Sequence, residues 1–408
     1  MWKTILEEAK CEENWEAFLQ YKIEKQHLSR QEEAEIRAYM QRKEYMTQCI
    51  AWQEHRFPEH LPEKRTINKE GSKKKRVVYS FAKEENILLK FIAFQLFRYD
   101  EFYSDNCYAF RRNYGAGDAI RRIRFAQGIG KKYCLKVDIS NYFNSICVKK
   151  LLEQLSFVKE NDEDLYWLFE HILLEERVTE NGNIIRENHG AMAGTPISPF
   201  FANVYLTEVD KYFEKQDILY FRYSDDIILF ADSMEELLER KELLYQMIEE
   251  MGLSINEDKV TITKPGESWE FIGFCYRNGE IDLSANTLRK IKARIKRKSE
   301  ALRRWQRKKN LSGEKAAIGF IRTMNCKFYG KSEDSDDFTW SRWFFPYLTT
   351  DAGLKEIDAY MQQYIRYTVT GRHYKGNYRI SYETLKSWGY RSLVHEYYQA
   401  RNLEHGEN

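Results

Sequence analysis

Three carboxylates in this sequence stand where carboxylates are costly. Asp138 ends the apolar run Tyr133-Cys134-Leu135-Lys136-Val137, and Asp225-Asp226 lie side by side between the runs Ile218–Tyr223 and Ile227–Phe230. A carboxylate beside a buried strand loses hydration and needs a compensating partner. Two adjacent acids at one turn also repel each other. A divalent cation resolves both problems, and Mg²⁺ favours oxygen ligands. Two such ions roughly 3.5–4 Å apart can activate a hydroxyl for attack at phosphorus and stabilise a leaving pyrophosphate. Taken singly, each motif fits a structural reading better: Asp138 as a cap on the following turn, Asp225-Asp226 as an exposed hairpin tip. Their order, and what lies between them, decides.

Such acids need a sheet to hold them. Lys132–Ile139 reads as a strand running into Asp138, and Ile218–Tyr223 and Ile227–Phe230 as two strands joined through Ser224-Asp225-Asp226. Ser254–Ile262 and Trp269–Cys275 read as further strands, and Lys69-Glu70-Gly71 with Arg76–Phe81 as a hairpin with a basic tip. Between them, Ile87–Phe97, Val148–Leu155, Leu165–Leu174 and Met234–Met251 have helical character, as does the apolar stretch Phe200–Val209 after a small-residue loop, Gly190–Pro199. Glu180-Asn181-Gly182-Asn183 is a turn. The pattern is α+β. Residues 1–65 read as an N-terminal helical extension, 66–280 as the sheet-bearing part, and 281–408 as a basic helical region, with polar linkers near 58–66 and 330–339.

At 408 residues the chain has material for two or three compact units. Its 31% of charged residues and lack of a long apolar run argue for a protein without a membrane span. The start, Met1–Leu6 followed by Glu7 and Glu8, has no secretory or transit pattern. Seven scattered cysteines without a CxxC pair argue against a disulfide framework or zinc site and for the reducing cytoplasm. The net charge of +2 conceals local asymmetry. From Thr287 to Asn310 twelve positions are Lys or Arg and only Glu300 is acidic, with a second basic cluster at Ser72–Arg76. That distribution suits a polyanion held along a track.

Together, the motifs resemble those of reverse transcriptases. Tyr223-Ser224-Asp225-Asp226 looks like the family's YxDD box, and Lys136–Phe143 resembles its motif A. Gly194-Thr195-Pro196-Ile197-Ser198-Pro199 with Ala202–Leu206 resembles motif B, Gly252–Asn256 with Lys259 motif D, and Phe271-Ile272-Gly273-Phe274 motif E. All occur in family order, and Lys69, Gly71, Arg76 and Tyr108-Ala109-Phe110-Arg111 match the fingers in outline. The resemblance implies a right-hand polymerase with fingers, palm and helical thumb. It implies dNTP addition to a primer 3′-end, directed by an RNA template, with two Mg²⁺ ions. Asp138, Asp225 and Asp226 would be metal ligands, Asp226 the weaker, and the backbone carbonyl of Ile139 would complete one shell. Phe143 would be the steric gate against ribose, and Lys69 and Arg76 would bind the triphosphate. Lys259 would protonate pyrophosphate. Core packing for Phe143, and a solvated surface position for Lys69 or Lys259, remain alternative readings.

Motif B departs from the family pattern: Met192-Ala193-Gly194 replaces Pro-Gln-Gly, so the glutamine's contact with the incoming nucleotide is missing, while Gly194 would still let the backbone approach the templating base. In the basic stretch, Leu288, Ile291, Ile295, Leu302 and Trp305 form an apolar stripe, leaving Arg289, Lys292, Lys296, Arg303 and Arg304 to grip a duplex backbone. Trp340–Pro346 and Tyr382–Tyr398 resemble the C-terminal regions of group II intron-like bacterial enzymes. With no Cys/His endonuclease module or RNase H pattern in view, the outline is most similar to defence-associated, or unknown-group, bacterial reverse transcriptases, which copy a structured noncoding RNA. A retron or group II intron-type enzyme, or a maturase-like RNA-binding protein, are the alternatives. A homo-oligomer is open.

Overall fold

The computed structural model describes residues 3–26, 28–56, 60–68, 75–330 and 339–406. They divide into two compact units, Met1–Ala119 with Ala126–Pro265, and Ile120–Phe125 with Gly266–Asn408.

The first unit opens with helices Ile5–Glu8, α1 (Glu12–Gln26), Arg30–Gln41 and Glu44–Gln53. Two of them start at capping boxes, Thr4 with Glu7 and Ser29 with Glu32. Trp15 of α1 stacks on Phe91 of α2 (Lys83–Gln95), ring centroids 4.4 Å apart. One hydrophobic core runs from Ile5 through Leu253. The N-terminal extension expected over residues 1–65 therefore shares its core with the sheet-bearing part, because Trp15, Phe18 and Leu19 have nowhere else to bury their apolar surface.

The strands of this unit, in chain order, are β1 (Glu63–Asn68), β2 (Lys75–Ser80), β3 (Tyr133–Asp138), β4 (Arg177–Glu180), β5 (Asn183–Arg186), β6 (Tyr220–Tyr223), β7 (Asp226–Ala231) and β8 (Thr261–Thr263). One sheet has the order β2-β1-β4-β5, the other β6-β7-β3-β8. All pairings of the second sheet are antiparallel. Its central strands are buried, and β7 is continuously apolar from Ile227 to Ala231. Against it lie α3 (Ser198–Lys215), which starts with Pro199 in its first turn and is buried almost all round, and α4 (Met234–Glu250). The strand expected over Ser254–Ile262 is mostly absent. Of that stretch only β8 is a strand paired with β3; before it Ile255 makes an isolated antiparallel bridge to Ile139, with the Asn256 N–H donating to the Asp138 carbonyl at 2.8 Å, and a short 3₁₀ turn at Glu257–Lys259 separates the two. The expected basic tip, with Lys69 and Gly71, lies outside the described residues.

The second unit holds β9 (Trp269–Phe271), β10 (Phe274–Arg277) and β11 (Glu280–Leu283), in the order β11-β10-β9. The single strand expected over Trp269–Cys275 is a hairpin instead. Ile272 and Gly273 both take positive φ, 49° and 87°, as a two-residue turn with the right twist demands. Because β9–β11 pair only with one another, the unit begins at Gly266, ahead of the boundary expected after residue 280. Its three longest helices are α5 (Ala285–Lys309), capped by Ser284, α6 (Gly313–Tyr329) and α7 (Ala352–Thr370). Ile291 and Ile295 are buried as the apolar stripe of α5 predicts, but Trp305 is 44% exposed. The linker expected at 330–339 falls almost wholly outside the described residues. No described helix is long and apolar enough to cross a membrane.

Candidate active site

The second sheet of the first unit brings the three aspartates to one end. Asp138, the last residue of β3, is in register with Asp226, the first of β7. Tyr223 pairs with Asp226, leaving Ser224 and Asp225 as a two-residue turn, and Ser224 takes φ 60°. An L-residue there is strained, so surrounding contacts must hold it. The Ile139 N–H donates to the Asp225 carbonyl at 3.0 Å, which ties the turn to the end of β3.

Below the turn lies an ion pair that sequence reasoning missed. Arg222 of β6 and Asp210 of α3 are both fully buried, with Nη2 to Oδ2 at 2.6 Å and Nε to Oδ1 at 2.8 Å. Tyr220 donates its hydroxyl to the same carboxylate at 2.9 Å, and Arg222 Nη1 reaches the Ser224 carbonyl at 3.3 Å. The Arg222 main chain is fastened to the 106–108 segment, accepting from Tyr108 N–H at 2.9 Å and donating to the Asn106 carbonyl at 2.8 Å. The available signal is partial: Arg222 is the one charge in the apolar run Leu219–Tyr223, but Asp210 shares its helix with Glu208 and Lys211, and only its place on the apolar face sets it apart.

Two lysines face the acids. Lys259 Nζ lies 2.5 Å from Asp138 Oδ2, Asn256 Nδ2 donates to Asp138 Oδ1 at 3.2 Å, and Lys136 Nζ stands 3.8 Å from Asp226 Oδ1. Lys259 thus joins the expected cluster, whereas the motifs alone give Lys136 and Asn256 no role. Burial, then the charge of Asp138, raises the Asp225 carboxyl above its ordinary range, with Lys259 and Arg76 acting in the opposite direction. Asp226 is raised too, by burial first, with Lys136 offsetting and the neighbouring acids adding. Among the described residues no group of three His, Cys, Asp or Glu side chains converges to hold a metal ion. Asp138 is turned to Lys259 and Asp226 toward Lys136, while Asp138 and Asp225 both act on Asp226 through their charge.

Phe143 is half-buried, with its ring edge-on to that of Phe110 at 6.2 Å. Its main chain packs against the motif B loop: the Ala191 N–H donates to the Phe143 carbonyl at 2.8 Å. A Cβ on Gly190 would stand 2.6 Å from that oxygen, so glycine is required there. Gly194, at φ 103°, makes its close approach to β2: a Cβ would lie 3.0 Å from Val78 Cβ. Arg76 is exposed on β2.

In the second unit the five cations expected to grip a duplex separate into two sets. Arg289, Lys296 and Arg304 are exposed on α5. Lys292 pairs with Glu356, and Arg303 donates to the Tyr367 carbonyl at 3.0 Å, so these two are engaged within the fold.

Known proteins share this pattern. The family model described as reverse transcriptase (RNA-dependent DNA polymerase) matches residues 67–276. The retron Ec86 reverse transcriptase of Escherichia coli is 24% identical over 171 residues, 41% of this chain and 49% of that one. The chain therefore spans about half the length of the retron enzyme it matches. Among solved structures, telomerase from Candida albicans in complex with a TWJ fragment of telomeric RNA is similar over 92% of this chain and 78% of its own, at 12% identity and a TM-score of 0.44. Apo telomerase from Candida tropicalis is similar over 81% and 70%, at 13% identity and a TM-score of 0.45. With more than half of its residues matched, the chain belongs to the reverse transcriptase family, and its helices and largely antiparallel sheets are the α+β class that the ordered motifs led us to expect.

Proposed function

We propose that this protein is an RNA-directed DNA polymerase that extends a primer 3′-end with dNTPs. The observation that carries the reading is the register of Asp138 opposite Asp226, with Asp225 at the adjoining turn. The donor set suits hard cations: carboxylate oxygens, two of them on groups whose ionisation is opposed by burial and by neighbouring acids, with lysine ammoniums drawn in as partners. Asp138, Asp225, Asp226 and the carbonyl of Ile139 would hold two Mg²⁺ ions. Bound ions would supply the Lewis acidity that activates the primer hydroxyl and neutralises charge on pyrophosphate.

The other residues bind, orient and exclude. Lys259 leaves Asp138 and carries a proton at Nζ for the departing pyrophosphate. Arg76, whose charge is felt by Asp225, takes triphosphate oxygens with its planar fork. Lys69 would assist from outside the described residues. Phe143, held from behind by the Gly190–Ala191 main chain, blocks a ribose 2′-hydroxyl. The missing motif B glutamine leaves base positioning to the Gly194 loop against β2. Arg289, Lys296 and Arg304 contact the duplex backbone, with Lys292 and Arg303 contributing where they can leave their internal partners.

The test is Mg²⁺-dependent incorporation of dNTPs on an RNA template. Undiminished synthesis by an Asp225→Ala/Asp226→Ala variant would sink the reading, and Phe143→Ala should raise relative use of ribonucleotides by roughly tenfold. For the biological role, our reading is synthesis on a dedicated noncoding RNA in antiphage defence. The identity to a retron enzyme favours a retron as the second reading. Sequencing the co-purifying nucleic acid and the neighbouring DNA separates them: a branched RNA–DNA product assigns a retron, and an adjacent intron ribozyme an intron-type enzyme. A maturase-like protein would keep its biological effect in the double variant.

A further inference from the structure

A cavity of about 330 Å³ opens in the first unit between α1, α2 and the motif B loop, a size within the roughly 300–1,000 Å³ typical of ligand pockets. Its chemistry is two-sided. Phe94, Phe110 and Pro196 give it flat apolar walls, and Lys22 of α1 and Lys90 of α2 bring two ammonium groups to it. Asp100, the one acid in its lining, is turned to Arg112, accepting the Arg112 N–H at Oδ2 at 2.8 Å. Burial, and then the charge of Lys90, lower the Lys22 amine to about 8, with Glu32 acting in the opposite direction. Two mutually repelling ammoniums beside an apolar cavity are stabilised by an anion, and flat walls take a ring. A nucleotide of a single strand offers both, a π-face and a phosphate.

The cavity's position selects which nucleotide. Gly194 and Phe110 line it and also belong to the candidate active site: Gly194 lies against β2, and the Phe110 ring meets Phe143. We propose that this cavity receives the unpaired template nucleotide next in line after the templating base, its base against Phe94, Phe110 and Pro196 and its phosphates on Lys22 and Lys90. The inference rests on the polymerase reading and adds to it a role for α1.

Single-nucleotide incorporation tests it on two primer–template duplexes, one whose RNA template ends at the templating base and one extended by a single nucleotide. The wild-type protein should use the longer template about fivefold more efficiently, the low end of what one stacked base contributes. Lys22→Gln/Lys90→Gln should lose that advantage while matching the wild type on the shorter template. An equal advantage in both proteins, or none in the wild type, overturns the proposal. A second measurement does not need catalysis: 2-aminopurine at the extra template position, in the same duplex without dNTP. Quenching by the wild-type protein that is lost in Phe110→Ala, an exposed position, supports the cavity as the site; no quenching, or equal quenching in the variant, rejects it. Absence of incorporation with quenching intact would instead count against the polymerase reading alone.

Discussion

Two hairpins of this protein use the same backbone device for different ends. The β6–β7 hairpin turns through Ser224-Asp225 and the β9–β10 hairpin through Ile272-Gly273. Each puts a side-chain-bearing residue at positive φ, Ser224 at 60° and Ile272 at 49°. They differ in what holds the strain. The first is anchored from below by the dry Arg222–Asp210 pair. The second is anchored by neutral bonds, the Gly273 carbonyl accepting from Thr287 Oγ1 at 2.8 Å and from the Ser284 N–H at 2.9 Å. A turn that must aim two repelling acids is given a charged, fully desolvated support. A turn that only reverses the chain between β9 and β10 is held by the first residues of α5 and its cap.

The contrast between the hairpins breaks first at the acids. Asp225→Ala should lower dNTP incorporation roughly a thousandfold or more, as expected for losing about 4 kcal/mol of transition-state stabilisation, with the circular dichroism spectrum unchanged. Next comes the support. Asp210→Asn strands a buried guanidinium and should reduce unfolding free energy by about 3–5 kcal/mol, read by urea denaturation. The double replacement Asp210→Leu/Arg222→Met should recover much of that stability, because an apolar pair of similar volume avoids desolvating two ions. Incorporation should nevertheless stay low, since nothing then holds the Ser224 carbonyl. Full activity in the stable double variant would show that the pair supports the fold and does not aim the turn.

The sequence made the acids legible because they interrupt strands, and their strands because apolar runs of that length have few alternatives. It made α5 legible through its charge. What it hid depends on contacts between distant segments. Asp210 and Arg222 are twelve positions apart on a helix and a strand, and nothing local says that they face one another. Trp269–Cys275 reads as one strand because Ile272 is a good strand former, and its positive φ is imposed by the two-residue turn, whose Gly273 carbonyl is held by Thr287 and Ser284. Ser254–Ile262 starts as expected, with Ile255 bridged to Ile139, and is interrupted by the 3₁₀ turn at Glu257–Lys259 before β8 resumes the pairing. The apolar stripe on α5 placed Ile291 and Ile295 correctly and Trp305 wrongly, since a stripe gives a face but not how far the packing partners extend.

The second hairpin gives the next effect. Gly273→Ala puts a methyl group at φ 87° and 3.0 Å from Thr287 Oγ1, and should cost about 1–3 kcal/mol in urea denaturation. Ile272→Gly relieves a left-handed β-branched residue and should stabilise by up to roughly 1 kcal/mol, less the glycine's added unfolded-state entropy. A neutral result for both would mean that the strain is relaxed by small shifts of β9, and the parallel between the hairpins would fail.

The smallest effect is also the most specific to charge. Burial raises the Asp225 carboxyl in the folded protein, so the native state holds that proton more tightly than the unfolded chain does. Stability then falls as pH rises from the ordinary aspartate value, about 3.9, through the raised folded one, and stays reduced above it. Asp225→Asn removes that penalty. In EDTA at pH 7 its Tm should exceed that of the wild type by on the order of one or two degrees, and the gap should close as pH falls toward 4. Added Mg²⁺ should raise the wild-type Tm and do little for the variant. Ile272→Gly supplies the contrast, because its gain comes from backbone conformation and should be the same at every pH. A pH-dependent gain at Ile272, or a pH-independent one at Asp225, would mean that the two turns do not divide charge from geometry in the way their supports imply.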